Sequence, residues 1–338
     1  MKNDFPDYLT TFFTKYITLH KGLSPNSISS YSDTFIVFFR YCMEIHSIRQ
    51  EKMTFSIMSK ALVAGFCEWI EVDRKCSVAT RNLRLTAMHT FFRYLQSEAP
   101  EHAALCRDIL SIPMKKSVRK PPVHLQDIEI KMLLAEPDVH TKEGIRDLAM
   151  LALLYDTGTR VSEIINLNVG DVTINARATV RVTGKGNKMR LVPMSPESSS
   201  ILKAYLNSNK IDRSIVEEPL FVNRSGNKLT RPGVTYILQK YVSLAREKNP
   251  EYFGKVVSPH VVRHSKATHL LLSGVNLVYI RDFLGHSSVI TTEHYAKSNP
   301  EFMRIAIEKC SLPSENLKSQ FSKKEKQELT EFLKNFRI

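Results

Sequence analysis

The first hundred residues carry apolar side chains at the spacing of amphipathic helices. Aromatic and aliphatic residues recur every three or four positions over 8–17, and Ser24 followed by Pro25 marks the N-cap and first turn of the next helix. The same spacing returns at 62–70 and at 83–95, where Ser77 or Thr80 opens the helix. This pattern predicts a compact bundle of four or so helices, with the aromatic side chains in its core rather than on a base-stacking surface.

The pattern breaks at IPMKKSVRKPPVHL, residues 112–125. Two adjacent prolines cannot continue a helix and the run is basic, so the segment is predicted to be an exposed linker. We therefore predict a domain over 1–112, a linker over 113–124 and a second domain over 125–312. A C-terminal amphipathic segment over 313–338, in which Ser322 and Glu325 form a capping-box pattern, is predicted to dock on its own domain or on a neighbouring protomer.

Beyond the linker, helical and strand periodicities are combined. Residues 179–183 and 189–192 alternate in polarity, and the intervening GKGNK is a turn, so a β-hairpin with lysines at its tip is predicted. Helical spacing covers 125–134, 146–157, 199–206, 231–246, 261–273 and 275–284. The predicted fold class is mainly α with a small β-sheet: an N-terminal helical bundle followed by a mixed α/β domain.

Charge points to a polyanionic partner. The 338 residues carry a net charge of +14, and most of the excess lies beyond Lys115. Neutralising phosphates with such a surface releases condensed counterions, which favours nucleic acid binding. The sequence has no apolar stretch of membrane-spanning length and no apolar signal core at its start, so a cytoplasmic location without membrane contact is predicted. Five scattered cysteines without a CxxC pair argue against a disulfide framework and a zinc site.

Six polar residues in the second half of the chain are the candidate catalytic groups. Two arginines, a lysine and two histidines precede a single tyrosine, a set suited to attack on a phosphodiester and stabilisation of the resulting phosphorane. They are Arg160 in TGTRVSEI, Lys185 in VTGKGNKMRLVP, His260 and Arg263 in PHVVRHS, His286 in LGHSS, and Tyr295 in TTEHYAK.

The residue chemistry suggests a role for most of this set. Arg160 and Arg263 can each offer paired N–H donors to the non-bridging phosphate oxygens, which removes the need for a metal ion. His286 can add a hydrogen bond to the phosphate. His260 lies one helical turn before Arg263 and can act as the general base or acid for the proton of the nucleophile. A free tyrosine titrates near pH 10, so Tyr295 needs a base or nearby positive charge to become the nucleophile.

These motifs resemble those of the tyrosine recombinase, or phage integrase, family over roughly residues 125–300, and within it the Xer-like and transposon- or integron-type enzymes. The resemblance implies a SAM-like core-binding domain before the catalytic domain, and cleavage through a 3′-phosphotyrosyl link with loss of the 5′ hydroxyl. It also implies double-stranded DNA with specific recombination sites, a homotetramer with or without a second recombinase, a Holliday junction and no cofactor. Integration, excision or resolution would be the outcome.

By the resemblance Lys185 is the general acid for the leaving hydroxyl, with Lys188 as the competing candidate. Glu163, three residues after Arg160, is predicted to hold that guanidinium in position. Two rival functions share the same residues: a tyrosine topoisomerase that relaxes DNA as a monomer, and a DNA-binding accessory protein that has lost its chemistry.

Overall fold

The computed structural model describes residues 4–116, 122–212, 214–254 and 256–286, with only the backbone at Lys185. The chain divides into two compact units, residues 1–119 and 120–338. The predicted C-terminal helix at 313–338 lies outside the described residues. No helix in the described ranges is long and apolar enough to cross a bilayer.

The first unit is helical. Ser24 caps the N-terminus of its longest helix by accepting a hydrogen bond from the backbone of Ser27, and Ser77, rather than Thr80, caps the fourth helix in the same way. Its elements are α1 (Phe5–Thr11, continued by a π-helical segment Phe12–His20), α2 (Pro25–His46), α3 (Lys60–Val72), α4 (Val78–Glu98) and α5 (Ala103–Leu110).

Aromatic side chains fill the core of this unit, as the helical spacing predicts. Phe12 and Phe91 are fully buried, and their ring centroids lie 5.3 Å apart in an edge-to-face arrangement. Phe35 packs edge-to-face on the same Phe91 ring. Leu83, which the sequence pattern assigned to the apolar side of α4, is instead 55% exposed. The buried aromatic side chains are therefore core residues, as predicted, because no base can reach them.

The start of the basic segment is hydrogen-bonded to α4. Arg81, itself buried, donates to the carbonyl oxygen of Pro113 over 2.8 Å, and the amide of Asn82 donates to the carbonyl oxygen of Lys115 over 2.7 Å. Pro113 to Lys116 remain exposed to solvent. These hydrogen bonds attach the start of the basic segment to α4.

The second unit contains helices and a small antiparallel sheet in the order β1-β2-β3. The helices are α6 (Asp127–Ala135), α7 (Lys142–Asp156), α8 (Val161–Ile164), α9 (Pro196–Ser208), α10 (Arg231–Lys248), α11 (Pro259–Leu272) and α12 (Leu277–Leu284). The strands are β1 (Val172–Thr173), β2 (Thr179–Thr183) and β3 (Met189–Pro193). The fold class predicted from the sequence is confirmed.

The predicted β-hairpin is present, and the GKGNK turn connects its two strands. Thr183 pairs with Met189, and the backbone between them turns with φ of +73° at Gly186 and +57° at Asn187. Glycine and asparagine are the residues that adopt this left-handed region at least cost, which explains the turn sequence. The apolar run of α7 packs between α9 and α11, so the helix that leads to Arg160 is held at the centre of the unit.

Candidate active site

Arg160 follows a tight turn at the C-terminus of α7. Gly158 has a φ of +55°, and a Cβ atom there would come within 2.7 Å of the Leu284 side chain, so this close approach requires glycine. Arg160 then serves as the N-cap residue of α8, and its backbone N–H donates to the Glu163 carboxylate over 2.8 Å. The turn therefore places Arg160 and Glu163 together beside the end of α12.

Glu163 is a buried carboxylate, 4% exposed, that contacts three arginines. Arg160 Nη1 donates to Oε1 over 2.8 Å, and Arg190 donates to both carboxylate oxygens over 3.2 and 2.9 Å. Arg263 Nη1 lies 3.8 Å from Oε2. Burial alone would raise the pKa of Glu163, but the hydrogen bonds from Arg190 and Arg160 outweigh it and hold the pKa below its usual value. The carboxylate is therefore ionised at neutral pH.

Arg263 lies on α11 and is 3% exposed. Its guanidinium donates to the carbonyl oxygen of Gly158 and to that of Leu284, each over 2.6 Å. His260 lies one turn earlier on the same helix, and burial followed by the charges of Arg263 and Arg160 lowers its pKa. The HxxR spacing thus brings an imidazole and a guanidinium to the same place, as predicted.

His286 follows the C-terminus of α12, where Gly285 ends the helix with a φ of +65°. Its backbone N–H donates to the carbonyl oxygen of Arg281 over 3.0 Å. Burial, then the positive charges of Arg263 and Arg160, lowers the pKa of the imidazole to about 4. His286 is therefore neutral at pH 7 and can donate or accept a hydrogen bond.

The structure brings five of the seven residues singled out from the sequence to one place: Arg160, Glu163, His260, Arg263 and His286. The side chain of Lys185 and the whole of Tyr295 lie outside the described residues, so their predicted positions stay predictions. His264, to which the sequence assigned no role, also lies near this group: burial, then His260 and Arg263, lowers its pKa to about 4.

Arg190 is the site residue that sequence reasoning missed. It lies on β3, where the alternation of the strand puts Arg190 on the same face as the buried Val192. An inward-facing arginine in a strand is a signal that could have been used, because a buried guanidinium requires a carboxylate or several carbonyl partners.

The charges at this site favour an anion. Three guanidinium groups, from Arg160, Arg190 and Arg263, surround the single carboxylate of Glu163, which leaves an excess of positive charge. Such an arrangement suits a phosphate group, whose oxygens accept hydrogen bonds from paired N–H donors. Within the ranges that the structure describes, no three His, Cys, Asp or Glu side chains cluster closely enough to hold a metal ion.

Known proteins are similar to this chain along most of its length. The family described as Phage integrase family matches residues 124–301, and the description Phage integrase, N-terminal SAM-like domain matches residues 11–99. The chain belongs to the phage integrase family. It is 34% identical over 292 residues to the tyrosine recombinase XerD of Oceanobacillus iheyensis, covering 86% of this chain and 93% of that protein.

A second relative agrees with this membership, and a solved structure shares the fold. The tyrosine recombinase XerC of Myxococcus xanthus is 34% identical over 296 residues, covering 84% of this chain and 91% of that protein. The Tn1549 transposon integrase, solved in complex with transposon right-end DNA, has the same fold: its TM-score is 0.68 at 17% identity, with 88% of this chain and 98% of that chain covered.

The family resemblance inferred from the motifs is therefore confirmed, together with the enzyme class. Phage integrase family members of the tyrosine recombinase class break and rejoin DNA strands, and this chain is a site-specific recombinase of that class. Neither rival, the tyrosine topoisomerase or the inactive accessory protein, is favoured by these relatives.

Replacing His286 with glutamine should weaken the pH dependence of stability in mildly acidic solution. The pKa of His286 is about 4 in the folded chain, whereas an unfolded histidine titrates near about 6.5. Between these values the unfolded chain binds the additional proton, so the stability of the wild type falls as the pH decreases through this window. We expect the free energy of unfolding in urea to fall less for His286→Gln between about pH 7 and pH 4.5. Equal slopes for the two proteins would contradict the lowered pKa of His286.

Proposed function

We propose that this recombinase cuts and rejoins double-stranded DNA at specific sites through a covalent link between Tyr295 and a 3′ phosphate. The observation that carries the proposal is the convergence of Arg160 and Arg263 on the buried carboxylate of Glu163, next to His286. Two guanidinium groups held in fixed positions stabilise charge that develops on a phosphate without having to reorganise during the reaction.

In this proposal each side chain has one role. Arg160 and Arg263 donate to the two non-bridging oxygens of the phosphodiester, and His286 adds a further hydrogen bond. Glu163 keeps Arg160 in position. His260 accepts the proton of the Tyr295 hydroxyl as its oxygen attacks phosphorus, and its lowered pKa leaves the imidazole neutral and able to do so.

The leaving group requires a general acid, which we assign to Lys185. As the new bond between the tyrosine oxygen and phosphorus forms, the bond between phosphorus and the 5′ oxygen breaks, and Lys185 supplies the proton to that oxygen. Lys188, an exposed residue at the end of the same turn, is the competing candidate. A 5′ hydroxyl from another strand then reverses the reaction and restores the free tyrosine, so that strands are joined without ATP.

At the level of the assembly, residues 1–112 and 125–312 would each bind duplex DNA, and the basic segment 113–124 would contribute positive charge toward the phosphate backbone. Four protomers, alone or with a second recombinase, would bind two sites and exchange strands through a Holliday junction. The C-terminal residues 313–338 would dock on a neighbouring protomer. Integration, excision or resolution of a mobile element, in the cytoplasm where DNA is accessible, fits this reaction.

The experiment that tests the proposal has two stages. The purified chain is first incubated with nicked duplexes of random sequence, and DNA trapped covalently on the protein is sequenced to find the site. Two copies of that site are then placed in one supercoiled plasmid. Deletion or inversion of the intervening DNA is the expected result. Relaxation of plasmids that lack the site, without any exchange between sites, would instead identify a topoisomerase.

A further inference from the structure

Arg190 makes three hydrogen bonds that join separate parts of the catalytic unit. Its Nε donates to the carbonyl oxygen of Phe283 over 3.0 Å, and its two terminal nitrogens donate to the Glu163 carboxylate over 3.2 and 2.9 Å. The side chain is only 14% exposed. Arg190 therefore connects β3, the short helix α8 and the end of α12, which directly precedes His286.

The end of α12 is shaped to receive this side chain. A Cβ atom on Gly285 would come within 2.8 Å of Arg190 Nη1 and 3.1 Å of its Cζ. Glycine therefore permits the guanidinium to lie against the backbone at this point. Because Arg160 Nη2 also reaches the carbonyl oxygen of Gly285, at 3.4 Å, the same turn contacts both arginines.

The electrostatic consequence concerns Arg263. Arg190 Nη2 is the nearest side-chain donor to Oε2 of Glu163, at 2.9 Å, whereas Arg263 Nη1 lies 3.8 Å from that oxygen. If Arg190 lost its charge, the buried carboxylate would attract Arg263 more strongly. Arg263 could approach only by weakening its 2.6 Å hydrogen bonds to the carbonyl oxygens of Gly158 and Leu284.

We propose that Arg190 is a positioning residue for strand cleavage: it compensates the charge of Glu163 so that Arg263 keeps its place, and it fixes the turn that carries His286. It acts through these neighbours and not on the DNA. This inference rests on the proposed function, since it concerns the phosphate site of that reaction.

The test uses the full chain, the duplex selected above with a nick that traps the covalent product, and four variants. Arg190→Gln removes the charge, Arg190→Lys keeps it without the forked geometry, and Arg190→Gln combined with Glu163→Gln removes both charges. Arg181→Gln is the matched control: it breaks the ion pair between the exposed Arg181, on the adjacent strand β2, and Asp171. The rate of covalent adduct formation is measured at saturating DNA. Affinity is measured separately with Tyr295→Phe added to each variant, to prevent cleavage.

We expect Arg190→Gln to slow adduct formation about 100-fold, the scale of a misplacement of about 1 Å at a reacting centre, with little change in the dissociation constant. The rate for Arg190→Lys should lie between those of this variant and the wild type. An ammonium group can pair with a carboxylate, but it cannot make the bidentate hydrogen bonds of a guanidinium group. The double variant should recover part of the loss, because the carboxylate charge that would attract Arg263 is gone, while the amide oxygen of glutamine can still accept a hydrogen bond from Arg160. Arg181→Gln should match the wild type.

Other results would overturn the inference. A double variant as slow as Arg190→Gln would rule out charge compensation, and a loss of DNA affinity equal to the loss of rate would make Arg190 a DNA contact. If Arg190→Gln does not fold, Arg190→Lys and the double variant provide the test. A wild-type rate for Arg190→Lys would refute the positioning role of Arg190. A double variant that is about 100-fold slower than Arg190→Lys would also refute it. If the wild type itself forms no adduct, the proposed function fails instead.

Discussion

Replacing Tyr295 with phenylalanine should abolish strand cleavage and leave DNA binding intact. The change removes one oxygen atom, which in the proposed reaction is the atom that bonds to phosphorus. Loss of a covalent nucleophile lowers a rate by about 10⁶-fold, so no adduct should form on a nicked duplex in hours. The basic surface and the arginines that bind phosphate are unchanged, and the affinity measured by a gel shift or fluorescence anisotropy should therefore equal that of the wild type.

The matched control is Tyr279→Phe. Tyr279 lies on α12, is 71% exposed and precedes His286 by seven residues. This variant loses the same atom from the same residue type and should form adduct at the wild-type rate. If Tyr295→Phe cleaved DNA and Tyr279→Phe did not, the nucleophile would have been assigned to the wrong tyrosine.

Replacing Arg263 with glutamine should slow cleavage about 10³-fold at saturating DNA, because a buried donor to the phosphate is removed from a site where its charge is little screened by solvent. The substitution also removes two hydrogen bonds, to Gly158 and Leu284, that hold the turn before Arg160 and the end of α12. Adduct formation should be timed on protein shown to be folded by its circular dichroism and thermal midpoint.

Arg281→Gln is the control for this prediction. Arg281 lies on α12, and its guanidinium pairs with the adjacent, exposed Asp282. The Arg281→Gln variant loses the same charge as Arg263→Gln. Among the contacts of the described residues, the Arg281 side chain has none with Glu163, so the cleavage rate should change little. A rate for Arg263→Gln within tenfold of the wild type would show that the phosphate does not bind between Arg160 and Arg263.

Local spacing predicted those parts of the site that lie within one segment of chain. HxxR on a helix places His260 and Arg263 one turn apart, and the three-residue step from Arg160 to Glu163 likewise predicts a contact, which the structure shows at 2.8 Å. The β-hairpin was readable because strand alternation and the residues of the GKGNK turn both indicate it. These features depend on backbone geometry between near neighbours.

The remaining features depend on residues that are distant in sequence. Arg190 and Arg263 meet Glu163 from β3 and α11, and no periodicity encodes that convergence. The exposure of Leu83 was likewise unreadable, because helical spacing defines a side of α4 but not how far the neighbouring helices cover it. The helix α8 and strand β1 have four and two residues, too few for any periodic pattern to appear.

The most direct test of the account identifies the residue that becomes attached to DNA. The covalent adduct formed on the selected duplex is digested with nuclease and trypsin, and the peptides are sequenced by tandem mass spectrometry. The account predicts a nucleotide joined through its 3′ phosphate to the tryptic peptide 282–297. The attachment should be at the single tyrosine of that peptide, Tyr295. Attachment to a serine of that peptide, or to any residue outside it, would contradict the account.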